Sequence, residues 1–306
     1  MLSIVQTISL VGLVGTLVQV QSDVGSGLPN FDIVGLPNTT VKESKERIRS
    51  AIKNSKIELS SKKILINLAP ADTKKEGSGF DLPIAIGILI AIDYIKKIDI
   101  KNTVFMGELS LDGKINKITG ILPMCIEAKK LGIKTVIIPK ENEKEASVVE
   151  GLTIIATESL EELIAFLNKK ISIPKTKFIT QEILKNNVDE NIDFSDVKGQ
   201  EDVKRALEIA TAGGHNCLLT GSPGAGKTML ARRIPTILPD MTFEEALEVT
   251  KIHSVAGNIE TEEGLITKRP FRTPHHTIST TSMVGGGRIP KPRRNKSSTL
   301  WSIIFR

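Results

Sequence analysis

The chain has 306 residues, long enough for about two domains, and its 40% apolar and 25% charged residues are ordinary for a globular protein. Only 4% of the residues are aromatic, with a single Trp and a single Tyr, so the sequence predicts no aromatic platform for stacking nucleic-acid bases. The net charge is +6, but nine basic residues and no acid follow Glu263, so the basic balance belongs to the tail and is weak evidence for nucleic-acid binding.

The beginning of the chain is apolar enough to suggest a signal peptide, but it lacks a basic start and is interrupted by Gly and Gln. Two β-strands joined near residues 12–15 account for it better. Residues 82–92 are apolar but too short to span a bilayer. We therefore predict a soluble, cytoplasmic protein with no membrane partner, in which Cys125 and Cys217 are buried thiols of a reducing compartment.

Strand and helix signals then alternate and predict an α+β domain over residues 1–170. Asn38 or Thr39 caps a helix that runs to about residue 54 and places Val41, Ile48 and Ala51 on one apolar face. The other predicted elements are strands at 31–34, 63–68 and 135–138, a hairpin with arms 104–111 and 114–118 around Asp112-Gly113, and helices at 81–94, 123–131 and 159–169, the last opened by a capping box.

A polar, charged stretch predicts a linker over residues 171–192, and a second domain covers residues 193–292. In this second domain a helix is predicted over residues 200–212. A capping box formed by Thr242 and Glu245 opens another helix that runs to about residue 252. Turn residues dominate after Ala256, and no element is predicted there.

One octapeptide dominates the second domain, Gly221-Ser222-Pro223-Gly224-Ala225-Gly226-Lys227-Thr228, and it fits the pattern G-x-x-x-x-G-K-S/T. A predicted buried strand at 216–220 precedes it, and a helix predicted from 229 to Pro235 follows it. Strand, glycine loop and helix form a phosphate cradle, because the loop amides and the helix N-terminus both face the anion. The pattern predicts ATP as ligand, with Lys227 on the phosphates and Thr228 on Mg²⁺. The alternative is a glycine-rich turn before a helix.

Several further motifs resemble the magnesium-chelatase-like AAA+ ATPases of the ComM/YifB type. In the second domain the matching runs are Phe194-Ser195-Asp196-Val197-Lys198-Gly199-Gln200-Glu201, Lys204 to Ala210, Gly213-Gly214-His215-Asn216, Met229-Leu230-Ala231-Arg232-Arg233 and the run from Arg269 to Ser279 that contains His275 and His276. In the first domain they are Phe31-Asp32-Ile33-Val34-Gly35-Leu36-Pro37 and Lys75-Glu76-Gly77-Ser78-Gly79-Phe80-Asp81-Leu82-Pro83.

This resemblance implies a first domain with the Lon-protease-like, ribosomal-S5-type fold, followed by part of an α/β P-loop NTPase (AAA+) domain. It implies an ATP-driven ring motor, a homo-hexamer when intact, similar to motors that drive DNA branch migration. By the same resemblance Gly199 and Gln200 lie near the adenine of the nucleotide.

Other functions remain open at the level of sequence. The chain could be the motor subunit of a metal chelatase, or a remnant without enzymatic activity. His215, His275 and His276 suggest a metal, but no Cys or carboxylate stands at ligand spacing, which favours a structural role. A Lon-type Ser-Lys dyad is not favoured either, because Ser78 falls near the nucleophile position but Leu122 stands where the lysine is expected.

Hydrolysis of ATP also needs an acid on a second strand and an arginine finger, and no apolar run that ends in an acid follows Gly287. We therefore expect a truncated chain that does not hydrolyse ATP. Residues 293–306 are expected to be a frameshifted tail. Back-translation of this tail, read one base later, forces Gly at Trp301 and permits an apolar run that ends in Asp or Glu.

Overall fold

The computed structural model describes residues 1–59, 62–96, 99–176, 178, 193–259 and 264–271. The chain divides into two compact units, Met1–Ile179 and Thr180–Arg306. The predicted tail 293–306, most of the predicted linker, and His275 and His276 lie outside the described residues.

The described residues of the first unit include nine strands. They are β1 (Leu2–Val11), β2 (Val14–Ser26), β3 (Asn30–Val34), β4 (Lys62–Ala69), β5 (Thr103–Phe105), β6 (Glu108–Leu109), β7 (Ile115–Asn116), β8 (Thr135–Pro139) and β9 (Thr153–Thr157). Seven of them form one mixed sheet in the order β3-β4-β2-β1-β5-β8-β9, in which β2 is antiparallel to both of its neighbours and the other pairs are parallel. The prediction of a domain that mixes helices and strands is thereby confirmed.

The two-stranded start of the chain is confirmed as the β1–β2 hairpin. Val11 pairs with Val14, so the loop is only Gly12-Leu13, and Gly12 adopts φ +64°. Such a tight turn requires positive φ, which glycine adopts at little cost. The apolar residues that suggested a leader are the alternating residues of a strand pair in the middle of the sheet.

The described residues of this unit also form five α-helices: α1 (Thr39–Asn54), α2 (Asp81–Ala91), α3 (Ile121–Lys130), α4 (Glu143–Ala146) and α5 (Leu160–Leu167). Helices α2 and α3 lie on opposite faces of the sheet. A Cβ on Gly87 of α2 would lie 2.3 Å from Ser22 Oγ, whereas a Cβ on Gly15 of β2 would lie 2.8 Å from Glu127 Cβ of α3. Ser22 and Gly15 differ in parity along β2 and so point to opposite faces.

The predicted cap of α1 is confirmed, since the Asn38 side chain accepts a hydrogen bond from the Val41 N–H at 2.9 Å. Helix α2 ends at Ala91 instead of residue 94. Asp93 adopts φ +59°, and the N–H groups of Tyr94 and Asp93 donate to the carbonyls of Leu89 and Ile90. These two bonds close the helix in a Schellman arrangement, which stops it three residues before the apolar pattern ends.

The predicted strand over residues 104–111 is wrong as one element. Strand β5 joins the large sheet, and β6 pairs separately with β7. The break falls at Gly107, whose N–H donates to the Gly79 carbonyl at 3.2 Å and whose carbonyl accepts from the Leu82 N–H at 3.0 Å. These contacts hold the chain against the start of α2, so only the short β6–β7 pair remains of the predicted hairpin.

The first unit extends past residue 170. Ile173 is buried in its core, and the Thr176 N–H donates to the Ile154 carbonyl of β9 at 3.1 Å. The Thr176 hydroxyl also donates to Glu143 Oε1 at 2.8 Å. Residues at the start of the predicted linker therefore cover the β9 edge of the sheet, which would otherwise present free backbone groups.

Arg47 and Asp81 form an ion pair at the edge of the core of the first unit. Arg47 donates to both carboxylate oxygens of Asp81 at 2.7 and 3.1 Å, and the Leu109 N–H donates to Asp81 Oδ2 at 3.2 Å. Burial raises the pKa of Asp81 to about 6, although Arg47 and the Leu109 N–H act in the opposite direction. The cost of removing the carboxylate from water outweighs what its partners return.

The raised pKa of Asp81 gives a pH dependence. Between the ordinary pKa of 3.8 and about 6 the native state holds a proton that the unfolded chain has lost, so this group's contribution to stability falls as pH rises through that window. We expect the unfolding free energy of the wild type minus that of Asp81→Asn to fall by on the order of 1–3 kcal/mol from pH 4 to pH 7. Urea unfolding at both pH values measures it, and a difference that grows with pH would contradict it.

The described part of the second unit contains a 3-10 turn (Phe194–Asp196) and the helices α6 (Glu201–Ala212), α7 (Lys227–Ile237) and α8 (Phe243–Ala256). The capping box of α8 is confirmed in both directions, between Thr242 Oγ1 and the Glu245 N–H and between Glu245 Oε2 and the Thr242 N–H. The helix runs four residues further than predicted and ends at Gly257, φ +73°. Helix α7 continues two residues past Pro235 and ends at Ile237, so the proline shortens the hydrogen-bond ladder only in the last turn.

The predicted buried strand at 216–220 is wrong. No described residue pairs with this segment, and Leu218 is 88% exposed. A strand forms only where neighbouring strands take up its backbone hydrogen bonds, and the described residues of this unit include none. For the same reason Cys217 is exposed instead of buried, whereas Cys125 of α3 is buried as predicted.

Candidate functional site

The candidate site is the loop of residues 221–226 together with the first turn of α7. Gly224 and Gly226 adopt φ +82° and +79°, which only glycine adopts readily, and Gly226 is the residue from which α7 begins. A Cβ on Gly224 would meet nothing within 4 Å. The loop therefore turns sharply into an exposed helix N-terminus, the arrangement that binds phosphate in proteins.

Lys227 folds back over this loop. Its Nζ donates to the carbonyl oxygens of Gly221 at 2.9 Å and of Ser222 at 2.7 Å. Both partners are neutral main-chain oxygens, so an anion would be a stronger partner for the ammonium group. Thr228 follows as the second residue of α7 and is half-buried. The loop, the ammonium and the hydroxyl together fit a nucleoside triphosphate with Mg²⁺.

Gly199 and Gln200 lie beside the loop. They form a turn with φ +66° and +55°, immediately before α6. Gln200 Nε2 donates to the Ala225 carbonyl at 3.4 Å and lies 3.5 Å from the position of a Cβ on Gly226. The structure thus brings together two groups of candidate residues that are about two dozen positions apart in the chain.

A further contact at this site has no counterpart in the sequence-based predictions. Arg233 of α7 donates from Nε to the Asp193 carbonyl at 3.0 Å and from a terminal nitrogen to Asp196 Oδ2 at 3.2 Å. The hydrogen bond from the Asp193 N–H, followed by the hydrogen bond and charge of Arg233, holds the pKa of Asp196 below its usual range. In the sequence Arg233 closes the run Met229 to Arg233, which resembles the family, but that run assigns no role to the arginine.

His215 is exposed and packs over Gly213, where a Cβ would lie 2.6 Å from its ring. Among the residues that the structure describes, no group of three His, Cys, Asp or Glu side chains could hold a metal ion. Within the same residues no helix is long and apolar enough to cross a membrane.

Two family models match this chain. A model described as "Subunit ChlI of Mg-chelatase" matches residues 20–142, and one described as "Magnesium chelatase, subunit ChlI" matches residues 193–297. The two matches span most of the sequence and include the candidate site.

The chain belongs to the magnesium-chelatase ChlI family.

Relatives within the family support this assignment. This ChlI-family chain is 45% identical over 293 residues to "Uncharacterized protein YifB" of Escherichia coli, and 42% identical over 292 residues to "Competence protein ComM" of Haemophilus influenzae. Both alignments cover 95% of the chain, which spans 56% of YifB and 57% of ComM. The predicted likeness to the ComM/YifB type is confirmed, and the family implies the use of ATP and Mg²⁺.

A weaker likeness links part of this ChlI-family chain to "Lon protease 2" of Bacillus subtilis, 35% identical over 125 residues, which are 40% of the chain and 22% of that protein. In the loop that precedes Ser78, the buried Lys75 donates to the carbonyls of Pro70 and Thr73, so it holds its own loop together. Burial lowers the pKa of Lys75. Leu122, where a dyad lysine was expected, is fully buried, and its N–H donates to Glu145 Oε1 at 3.1 Å.

We expect this ChlI-family chain to have no peptidase activity, because Leu122 offers no base to activate Ser78 and an unassisted hydroxyl is a weak nucleophile. Casein cleavage by the wild type and by Ser78→Ala measures this, and both should equal the buffer blank. Cleavage by the wild type that disappears in Ser78→Ala would contradict the prediction.

Proposed function

We propose that this chain binds ATP with Mg²⁺. We further propose that the full-length protein of the ComM/YifB type is a nucleotide-driven motor that remodels DNA. The observation that carries the nucleotide part is the loop itself, with positive-φ glycines, an ammonium held by neutral carbonyls and an exposed helix N-terminus. Gly221 to Lys227 would hold the phosphates, Thr228 would hold Mg²⁺, and Gly199 with Gln200 would face the base. Bound Mg²⁺ would offset the charge of the phosphates.

The first unit serves in this proposal as a Lon-like, S5-type domain. Its match to part of Lon protease 2 supports that assignment, and its buried Leu122 supports a role other than proteolysis. In the assembled protein the nucleotide site would belong to a cytoplasmic ring, and a homo-hexamer is the form we propose for it. The oligomeric state of the full-length protein, measured by mass photometry with and without ATP, tests the ring.

DNA is the proposed substrate because the relative named a competence protein is 42% identical over 95% of this chain. A metal-chelatase motor is the second candidate, supported by the names of the two matching family models. ATPase stimulation of the full-length protein separates them. Stimulation by branched DNA supports the first, and stimulation only by a porphyrin-binding partner supports the second.

Turnover by the 306-residue chain is a separate prediction. No Asp or Glu follows Glu263 in this sequence, so no acid beyond that point can complete a Mg²⁺ site on a second strand. We expect the chain to bind ATP without releasing phosphate above the rate of Lys227→Ala. A malachite-green assay measures this, and phosphate release that Lys227→Ala removes would contradict it.

A further inference from the structure

We propose that Arg233 is a positioning residue of the nucleotide site. It holds the segment that carries Gly199 and Gln200 against the helix that follows the phosphate loop. The inference rests on the proposed binding of ATP and adds to it a residue that sets the affinity for the base side of the nucleotide while leaving the phosphate side unchanged.

Each of the three guanidinium nitrogens of Arg233 donates a hydrogen bond. Nε donates to the Asp193 carbonyl at 3.0 Å, one terminal nitrogen donates to Asp196 Oδ2 at 3.2 Å, and the other donates to the Met229 carbonyl at 3.3 Å. The side chain is 19% exposed. A largely covered arginine with three acceptors is fixed in direction, since its planar fork has little freedom to rotate away.

The segment that Arg233 holds is itself preorganised. The Asp193 N–H donates to Asp196 Oδ2 at 3.1 Å, and Asp193 Oδ1 accepts from the Ser195 N–H at 2.7 Å. Beneath this turn, buried apolar side chains form a small cluster that joins it to α6 and α7: Phe194, Val197, Leu207 and Leu230. Arg233 lies one helical turn after Leu230 on α7, so the apolar cluster and the guanidinium group both contact the segment 193–196.

The turn formed by Gly199 and Gln200 follows shortly after the segment that Arg233 and the apolar cluster hold in place. The direct link between that turn and the phosphate loop is the bond from Gln200 Nε2 to the Ala225 carbonyl, which is exposed and 3.4 Å long. A long, neutral bond in water contributes little, whereas the bond from Arg233 to the Asp196 carboxylate is charge-assisted. Arg233 with the apolar cluster is therefore what fixes the distance between the base side and the phosphate side of the site.

The hydrogen bonds of Arg233 are made to Asp193, Asp196 and Met229 and not to the loop of residues 221–226. A test can therefore separate an effect on the base from an effect on the phosphates. Without Arg233 the loop and Lys227 still bind phosphates, but the Gly199-Gln200 turn is less well placed for the base. The loss should appear with ATP and be absent with inorganic tripolyphosphate, which has no base. A merely structural role would weaken both ligands together.

The experiment uses the whole chain and isothermal titration calorimetry with Mg²⁺, comparing ATP with inorganic tripolyphosphate. Arg233→Met keeps the length of the side chain and removes its donors, and Arg232→Met is the matched control, because Arg232 is exposed on the same helix. We expect Arg233→Met to bind ATP about tenfold more weakly and tripolyphosphate as the wild type does, with Arg232→Met unchanged for both. An unchanged affinity for ATP, or an equal loss for both ligands, would overturn the inference.

A second variant keeps the test decisive if Arg233→Met does not fold. Asp196→Asn removes the charged partner but leaves an oxygen to accept from the Asp193 N–H and the main-chain acceptors of Arg233. We expect the same selective loss with ATP, about threefold to tenfold. A wild-type chain that binds neither ATP nor tripolyphosphate would overturn the proposed function, whereas binding of both with no selective loss in either variant overturns only the role of Arg233.

Discussion

Lys227→Ala is expected to weaken ATP binding by about a hundredfold or more. The ammonium group donates to two neutral carbonyls within its own loop, and bound phosphates would replace them with charged acceptors. Hydrogen bonds to charged groups are worth about 1.5–3 kcal/mol each, and tenfold in affinity corresponds to about 1.4 kcal/mol. The loss of two such bonds therefore accounts for the expected factor.

Fluorescence titration with an N-methylanthraniloyl ATP analogue measures this loss. Arg232→Ala serves as the control for charge, because it removes one positive charge from an exposed position on the same helix. We expect its affinity to stay within about twofold of the wild type, since exposed charges in water interact weakly. If Lys227→Ala and Arg232→Ala lost the same affinity, the loop would not be the binding site.

Gly35→Ala is expected to destabilise the first unit by more than about 3 kcal/mol, a large part of the stability of an ordinary domain. Gly35 adopts φ +97°, and a Cβ there would lie 2.2 Å from the Leu68 carbonyl oxygen. That oxygen belongs to an interior strand, β4, which is paired on both sides and cannot move aside. The clash therefore adds to the cost of the backbone conformation.

Gly77→Ala separates the two costs. Gly77 has the same φ of +97°, but a Cβ there would meet nothing within 4 Å. We expect it to cost only about 1 kcal/mol, the price of positive φ alone. Urea unfolding followed by far-UV circular dichroism measures both variants. Equal destabilisation by the two substitutions would show that the carbonyl of Leu68 is not the reason Gly35 is required.

Sequence was sufficient where the signal was local. The hairpin at Gly12, the caps at Asn38 and Thr242 and the glycines of the phosphate loop each depend on residues within a few positions of one another. The helix predicted over residues 159–169 shows the limit of such signals. Ser159 accepts from the Glu162 N–H as predicted, but the Glu162 carboxylate accepts from the Glu158 N–H and from Thr157 instead of completing the box.

Prediction from the sequence failed where contacts between distant parts of the chain determine the local structure. The strand predicted at 216–220 had the right composition, but it has no partner among the described strands. The run 104–111 was divided because Gly107 bonds to Gly79 and Leu82. Arg233 could not be singled out, since Asp193 and Asp196 lie roughly forty positions before it. Gln200 was found only because a family resemblance supplied what spacing could not.

The unequal exposure of the two thiols makes the chain convenient for fluorescence work. Cys125 is fully buried, and its burial raises the pKa of the thiol well above the usual range, so it will resist maleimide reagents. Cys217 is exposed and stands four residues before Gly221. A dye attached there at neutral pH would label the wild-type sequence at a single position next to the phosphate loop, without any cysteine having to be removed or introduced.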